Sequence, residues 1–370
     1  MKMYIGLDVH SKFTVYCAQD KEGKIVGQGK IPTTFEGFGQ MKKKLKAPAG
    51  TAAALETGAQ CFLAARGLFE LGLKPVVIDA QEVRAKARSR RQKSDLRDAY
   101  DLCEGLRLGY YMKIVYIPPP DIRRLRQLLS RRRHFVRLGA MQINAAKFVL
   151  RQHGLSSLSR SLVSDSAWEN LLGDCAAAEA RELLNCHYQV WRAAKKQQAW
   201  LQEQLEAALE PFRCEYELLT SAPGVGPLTA ATFIAVIATP KRFASSGEIV
   251  SYAGLAPSSY DSGGIERRGR ITKQGSAELR SMLCEAAHHA SRPTHPLNPY
   301  FMRVLAKGGY KKAVVAVAQR LARVLYQMWK TRQKFAPEKL NVEHKPVERK
   351  KMVYWCVKKA DKAPRHAVSN

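Results

Sequence analysis

"MYIGLDVHSKFTVYCAQDKEGKIVGQGKI", residues 3 to 31, contains three short runs rich in β-branched and aromatic residues: "MYIGLDV" at 3–9, "FTVYCA" at 13–18 and "IVGQGKI" at 25–31. The links "VHSK" and "QDKEGK" are short and turn-forming, so the three runs are predicted to pair as an antiparallel meander. The pattern then changes to a helical stretch near 35–46, a small-residue strand "TAAALE" at 51–56, a helix over about 60–71 and a strand "KPVVID" at 74–79. Strands joined by helical crossovers predict an α/β domain, assigned to residues 1–112.

Asp8 lies inside the first run with apolar residues on both sides, where a lone carboxylate is costly to bury. Glu56 ends another strand of the same domain. Asp95 and Asp98 are three apart in "KSDLRDAYDLCEGL", which puts both carboxylates on one face of a helix; Asp101, three further on, is a substitute that drifts round the helix. Each acid taken singly is ordinary, since carboxylates are common at helix N-termini. Together, four acids from a strand, a strand end and a helix can converge on a pair of divalent ions. Mg2+, with Mn2+ as a substitute, takes oxygen ligands, and two such ions clamp the attacking and leaving oxygens of phosphoryl transfer. In a domain that begins with a meander, this set resembles an RNase H-type nuclease core.

Charge points to the same chemistry. The 370 residues carry 61 lysines and arginines against 32 acids, a formal net charge of +29, which calls for a polyanionic partner. A membrane is not that partner: there is no long apolar run, and Asp8 comes too early for a signal peptide. The expected location is the cytoplasm, at the bacterial nucleoid. The eight cysteines are scattered without a C-x-x-C pair, so reduced, mostly buried thiols are expected and a zinc site is not.

Two basic clusters lie before residue 140. The segment 81–97 holds Arg84, Lys86, Arg88, Arg90, Arg91, Lys93 and Arg97 with only two acids, a density that predicts phosphate contact. After the stiff "IPPP" at 117–120, Arg123, Arg124, Arg126, Arg131, Arg132, Arg133 and Arg137 alternate with Leu125, Leu128, Leu129, Phe135 and Leu138, as in an amphipathic basic helix. A second helix over about 175–210 carries a heptad seam of Leu184, His187, Trp191, Ala194, Gln198, Leu201, Leu205 and Ala208, with two polar interruptions. Residues 113–215 are therefore expected to form a coiled-coil helical hairpin, and the seam favours a homodimer or a dimer of dimers.

A mainly helical third domain is assigned to 216–336. In "SAPGVGPLTAATFIAVI", Gly224 and Gly226 sit in a turn between two apolar helical stretches, the arrangement by which a helix-hairpin-helix offers backbone amides to phosphate. Further on, "SSYDSGGIERRGR" at 258–270 reads as a loop, followed by helices near 275–291 and 312–331 and by a lysine- and proline-rich basic tail at 337–370. Gly263 and Gly264 let a backbone approach DNA closely, and Arg267, Arg268, Arg270 and Lys273 suit phosphate oxygens.

"YIGLDVH", "ALETGA", "KSDLRDA", "PGVGPLTAA", "YAGLAPSSYDSGG" and "RRGRITKQGSAELR" occur in this order over roughly residues 3 to 330. The set resembles the DEDD transposases of the insertion sequence 110 and 1111 family. The resemblance implies a RuvC-like first domain, a coiled-coil region and a C-terminal transposase domain with a nucleophilic serine. It implies metal-binding acids at Asp8, Glu56, Asp95 and Asp98 and the nucleophile at Ser262, immediately before the glycine pair and close to Ser258 and Ser259. It further implies donor and target DNA as substrates and a bridge RNA, transcribed from the element's non-coding end, that pairs with both. Two other readings compete: a RuvC-like endonuclease or junction resolvase that hydrolyses phosphodiesters, and a non-catalytic nucleic-acid-binding protein.

Overall fold

The computed structural model describes residues 2–87, 94–262 and 265–340. The chain divides into two compact units, 1–119 and 120–370, each taken by itself below.

The first unit is a six-stranded mixed sheet. Strands β1 (Met3–Val9), β2 (Phe13–Asp20) and β3 (Ile25–Pro32) form the expected meander, followed by helix α1 (Phe35–Leu45) and β4 (Ala52–Glu56). Helix α2 (Cys61–Glu70), β5 (Lys74–Ile78), α3 (Ala80–Ala87), α4 (Asp95–Arg107) and the two-residue β6 (Ile114–Val115) complete it. The strand order is β3-β2-β1-β4-β5-β6, with β4 and β5 parallel to β1 and β6 antiparallel to β5.

Side chains alternate across a strand, and β1 is covered on both faces. Ile5 and Leu7 join Tyr16, Ala18, Ala53 and Leu55 in a core closed by Phe38 and Met41 of α1 and Ala64 and Leu68 of α2. The other face belongs to α4, whose Ala99 and Cys103 pack with Val15 and Cys17 while Leu102 packs with Ala54 and Ile78. Gly6 sits directly beneath this helix: a Cβ there would lie 2.1 Å from the Ala99 carbonyl oxygen and 2.4 Å from the Cys103 nitrogen. Only glycine lets the helix backbone rest on the strand. At the far end of α4, Arg107 grips Glu104 through two hydrogen bonds of 2.9 and 2.7 Å and donates to the Lys21 carbonyl at 3.2 Å, fastening the helix to the turn between β2 and β3.

The second unit opens with the expected hairpin, made of α5 (Pro120–Gln152) and α7 (Ala178–Leu209), with α6 (Asp165–Asp174) near its tip. The seam is buried at Leu184, Trp191, Ala194, Leu201 and Leu205. Both polar interruptions are answered within the chain: His187 Nδ1 lies 2.8 Å from Gln142 Oε1, and Gln198 Nε2 donates to the Phe135 carbonyl at 3.0 Å. The seam is thus used between the two arms. Leu125 and Leu129 at the base of α5, and Leu205 and Leu209 of α7, share one apolar core with the helices that follow.

Those are α8 (Arg213–Thr220), α9 (Pro227–Ile237), α10 (Ser246–Tyr252), α11 (Ala277–His288), α12 (Asn298–Gly308) and α13 (Tyr310–Thr331). One expectation is corrected here: the stretch read as a loop at 258–270 is an antiparallel hairpin of β7 (Pro257–Ser262) and β8 (Ile265–Ile271), with Ser262 opposite Ile265. Its strands are too polar to show a buried alternation, while backbone pairing needs none. No described helix is long and apolar enough to cross a membrane.

Gly6→Ala is expected to destabilise the first unit by at least about 1–3 kcal/mol, the usual range for overpacking a tight contact. Thermal unfolding of the variant would check this, and an unchanged midpoint would mean that α4 does not rest on β1 as described.

Candidate functional site

The close approach at Gly6 decides where the acids go. Asp8 is two residues further along β1, so its side chain shares the α4 face. Ser94 caps α4 through a hydrogen bond from the Arg97 amide at 3.3 Å, which places Asp95 and Asp98 in the first turn, where the helix dipole favours negative charge. Glu56 ends β4, one position beyond the Leu7–Leu55 pairing of the parallel ladder, and so stands on the strand next to Asp8.

Asp8 and Asp95 meet across a residue the acid pattern did not single out. His10 Nε2 lies 3.0 Å from Asp8 Oδ2 and 3.5 Å from Asp95 Oδ2, and ligand atoms of all three residues fall within 4.8 Å of one another. The sequence signal was its position two beyond Asp8, which keeps it on the same face if the strand continues. Asp98 is near enough to act electrostatically on Asp8. Glu56 is not in the three-residue cluster; its Oε1 is 3.9 Å from Arg84 Nε. Asp101 pairs with Arg97 at 3.4 Å, one turn along the helix.

Burial pushes the Asp8 carboxyl above its ordinary range; His10 opposes this rise, while Asp98 and Asp95 add to it. Three carboxylates held together against their own repulsion are what a divalent cation relieves, and their oxygens are the donors that Mg2+ and Mn2+ take. The residues present therefore fit a metal site that Asp8, Asp95 and His10 would line, with Asp98 and Glu56 at its edge.

The basic residues expected to touch phosphate fall into distinct settings. Arg84 is mostly exposed despite its pairing with Glu56; Arg88, Arg90, Arg91 and Lys93 lie outside the described residues, as does the side chain of Lys86. On α5, Arg131 is exposed and Arg123 half-buried, whereas Arg124 and Arg132 reach Gln204 and Gln202 of α7 at 3.4 and 3.1 Å. Gly224 has a φ of 79° in the turn before α9, and Gly226 is the residue preceding that helix. The turn is tied down by His295: Nδ1 accepts from the Leu297 amide at 3.1 Å, which leaves Nε2 to donate to the Pro223 carbonyl, also at 3.1 Å.

Around the serine, Ser258 Oγ donates to the Arg270 carbonyl at 2.9 Å, which commits that hydroxyl to the hairpin. Ser262 ends β7; its side chain and those of Arg267 and Arg268 lie outside the described residues, as do Gly263 and Gly264. Arg270 is exposed on β8, and Lys273, just after it, is exposed with a φ of 56°.

An acidic cluster suited to metal, built on a mixed sheet in a chain of net charge +29, suits a protein that works on nucleic acid. Two family models match in order along the chain: a DEDD-type transposase model over residues 5–154, and the transposase IS116/IS110/IS902 family over residues 216–301. A putative transposase of Sinorhizobium fredii is 27% identical over 251 residues, 66% of this chain and 64% of that protein. The transposase for insertion sequence element IS1111A of Coxiella burnetii is 23% identical over 338 residues, 88% of each chain. A pilin gene-inverting protein of Moraxella lacunata is 32% identical over 112 residues, 30% of this chain and 35% of that one. Both matched models describe transposases of the insertion-sequence 110 type, and the chain is a DNA transposase.

The raised Asp8 carboxyl predicts a pH signature. A carboxyl raised in the folded state stabilises the fold below its unfolded value and loses that contribution as pH climbs through the folded one. Without divalent ions, Asp8→Asn should therefore melt higher than the wild type near neutral pH, with the gap closing in acid. A variant that melts lower at neutral pH would show that the Asp8 charge supports the fold.

Proposed function

We propose that this transposase is a magnesium-dependent, RNA-guided DNA recombinase of an insertion sequence, which cuts and rejoins strands through a phosphoserine at Ser262. The observation that carries this reading is the convergence of Asp8 and Asp95, with Asp98 beside them, on the face of β1 covered by α4. The strand order fits the RuvC-like, RNase H fold that the DEDD resemblance implies, with that domain over 1–112, a coiled-coil region over 113–215, the serine-bearing domain over 216–336 and a basic tail beyond. The charge supports DNA and guide RNA as partners, acting in the cytoplasm at the nucleoid; assembly as a dimer or a dimer of dimers, expected from the heptad seam, would need another surface, because that seam is shared by α5 and α7.

Divalent ions bound by Asp8, Glu56, Asp95 and Asp98 would activate an oxygen nucleophile and stabilise charge on the leaving oxygen. The remaining work falls to the chain's own side chains. Ser262 Oγ gives up its proton and bonds to phosphorus as one strand P–O bond breaks, and the departing strand end leaves as a hydroxyl. Attack by the hydroxyl of a second strand on the phosphoserine re-forms a phosphodiester and returns the serine, so the free energy of the original bond is conserved. Arg267, Arg268 and Arg270 would neutralise the phosphate oxygens during both steps. If base pairing to the guide selects the DNA, the protein need read only backbone and shape.

The test is the chain purified with its co-expressed RNA, given labelled element-end DNA and Mg2+. A covalent protein–DNA adduct is expected on denaturing gels, absent in Ser262→Ala and reduced at least about a hundredfold in Asp8→Ala or Asp95→Ala. Cleavage that persists in Ser262→Ala without an adduct would overturn the serine mechanism in favour of a hydrolytic nuclease. Binding should also be steeply salt-dependent: with about six phosphate contacts, affinity falls about a thousandfold between roughly 50 and 200 mM salt.

A further inference from the structure

His10 is held in place by its backbone. Its amide donates to the Phe13 carbonyl at 2.9 Å, and its own carbonyl accepts from Thr33 Oγ1 at 2.8 Å, a hydroxyl that also meets the buried Thr14 Oγ1 at 2.9 Å. The imidazole packs beside the Phe13 ring, with centroids 4.7 Å apart. That support fixes the base of the side chain, and Nε2 lies against both Asp8 Oδ2 and Asp95 Oδ2. A cation placed among these oxygens has an imidazole nitrogen within reach as well. Mg2+ selects oxygen donors in strict octahedral geometry, whereas imidazole suits first-row transition ions.

We infer that His10 is a nitrogen ligand of this site and makes it bind Mn2+ more tightly than its oxygen donors alone would, alongside the Mg2+ of the proposed reaction, a specificity role that rests on the metal-dependent reading of the acidic cluster. When an ion enters, Nε2 would exchange its carboxylate contacts for the metal, while the Phe13 packing and the two backbone hydrogen bonds stay as they are.

The experiment uses the full chain and Mn2+ alone, with no DNA and no turnover. Loss of the free Mn2+ resonance on titration gives the dissociation constant, Mg2+ competition gives the preference, and pulsed electron paramagnetic resonance reports 14N coupling to bound Mn2+. Wild type is expected to show imidazole coupling. In His10→Gln the coupling should vanish and Mn2+ affinity fall about tenfold, with Mg2+ affinity altered less than about twofold. Bound Mn2+ without nitrogen coupling in the wild type, or coupling unchanged in His10→Gln, overturns the role of His10 and leaves the acidic site standing. No Mn2+ binding to the wild type overturns the metal reading along with it. If His10→Gln does not fold, the wild-type spectrum alone decides whether a nitrogen is bound.

Discussion

The contact between α4 and Gly6 of β1 governs the first unit. A helix usually rides above a sheet on a layer of side chains, but here the strand contributes none beneath Ala99 and Cys103, and a Cβ at Gly6 would collide with the helix backbone. The consequence extends along both elements. Two residues on from Gly6 the strand presents Asp8, and the helix presents Asp98 next to Ala99 and Asp95 one turn back. The closeness that makes the packing intolerant of a methyl group is what lets carboxylates from two elements act on one another. The Glu104–Arg107 pair, anchored to Lys21, keeps the other end of α4 from pivoting.

Charge in the second unit has two kinds of work. Arg126 donates to the Ala235 and Val236 carbonyls at 2.7 and 3.1 Å, and Arg242 donates to those of Val236 and Ile237 at 3.1 and 2.6 Å. These are carbonyls at the end of α9, which has no later turn to accept from, and guanidinium groups there satisfy them and oppose the helix dipole. Arg133 pairs with Glu278 and Arg332 with Glu215. Part of the large positive balance is thus structural, and the cations open to phosphate are fewer than composition implies. The same economy governs the hairpin, where His187 and Gln198 interrupt an apolar seam and bond to the opposite arm.

The meander, the crossovers and the two long helices were legible because their apolar periods are strong: "MYIGLDV" alternates, and Leu184 to Leu205 keeps a heptad step. Asp8 was legible because a lone carboxylate among apolar strand residues is costly, and the structure brings it to Asp95. Three things were not. β6 is two residues long and exists only because β5 offers an edge. The β7–β8 hairpin carries polar side chains on both strands, so no hydrophobic alternation marks it. His10 looked like part of a turn, and its closeness to Asp95 depends on the descent of α4 onto Gly6, a tertiary event that no local pattern encodes.

Asp8 and Glu56 illustrate two ways of holding a carboxylate. Asp8 belongs to an interior strand covered on both faces, its position is set by the ladder, and burial raises its carboxyl. Glu56 is at a strand end, more than a third of its side chain away from full burial, and meets a guanidinium that is 74% exposed. An exposed pair of that kind is worth little, about 0–1 kcal/mol. Moving Asp8, by contrast, would mean distorting the strand. The cluster of Asp8, His10 and Asp95 is accordingly held by β1 and the first turn of α4, while Glu56 stands in a partly exposed setting at the end of β4.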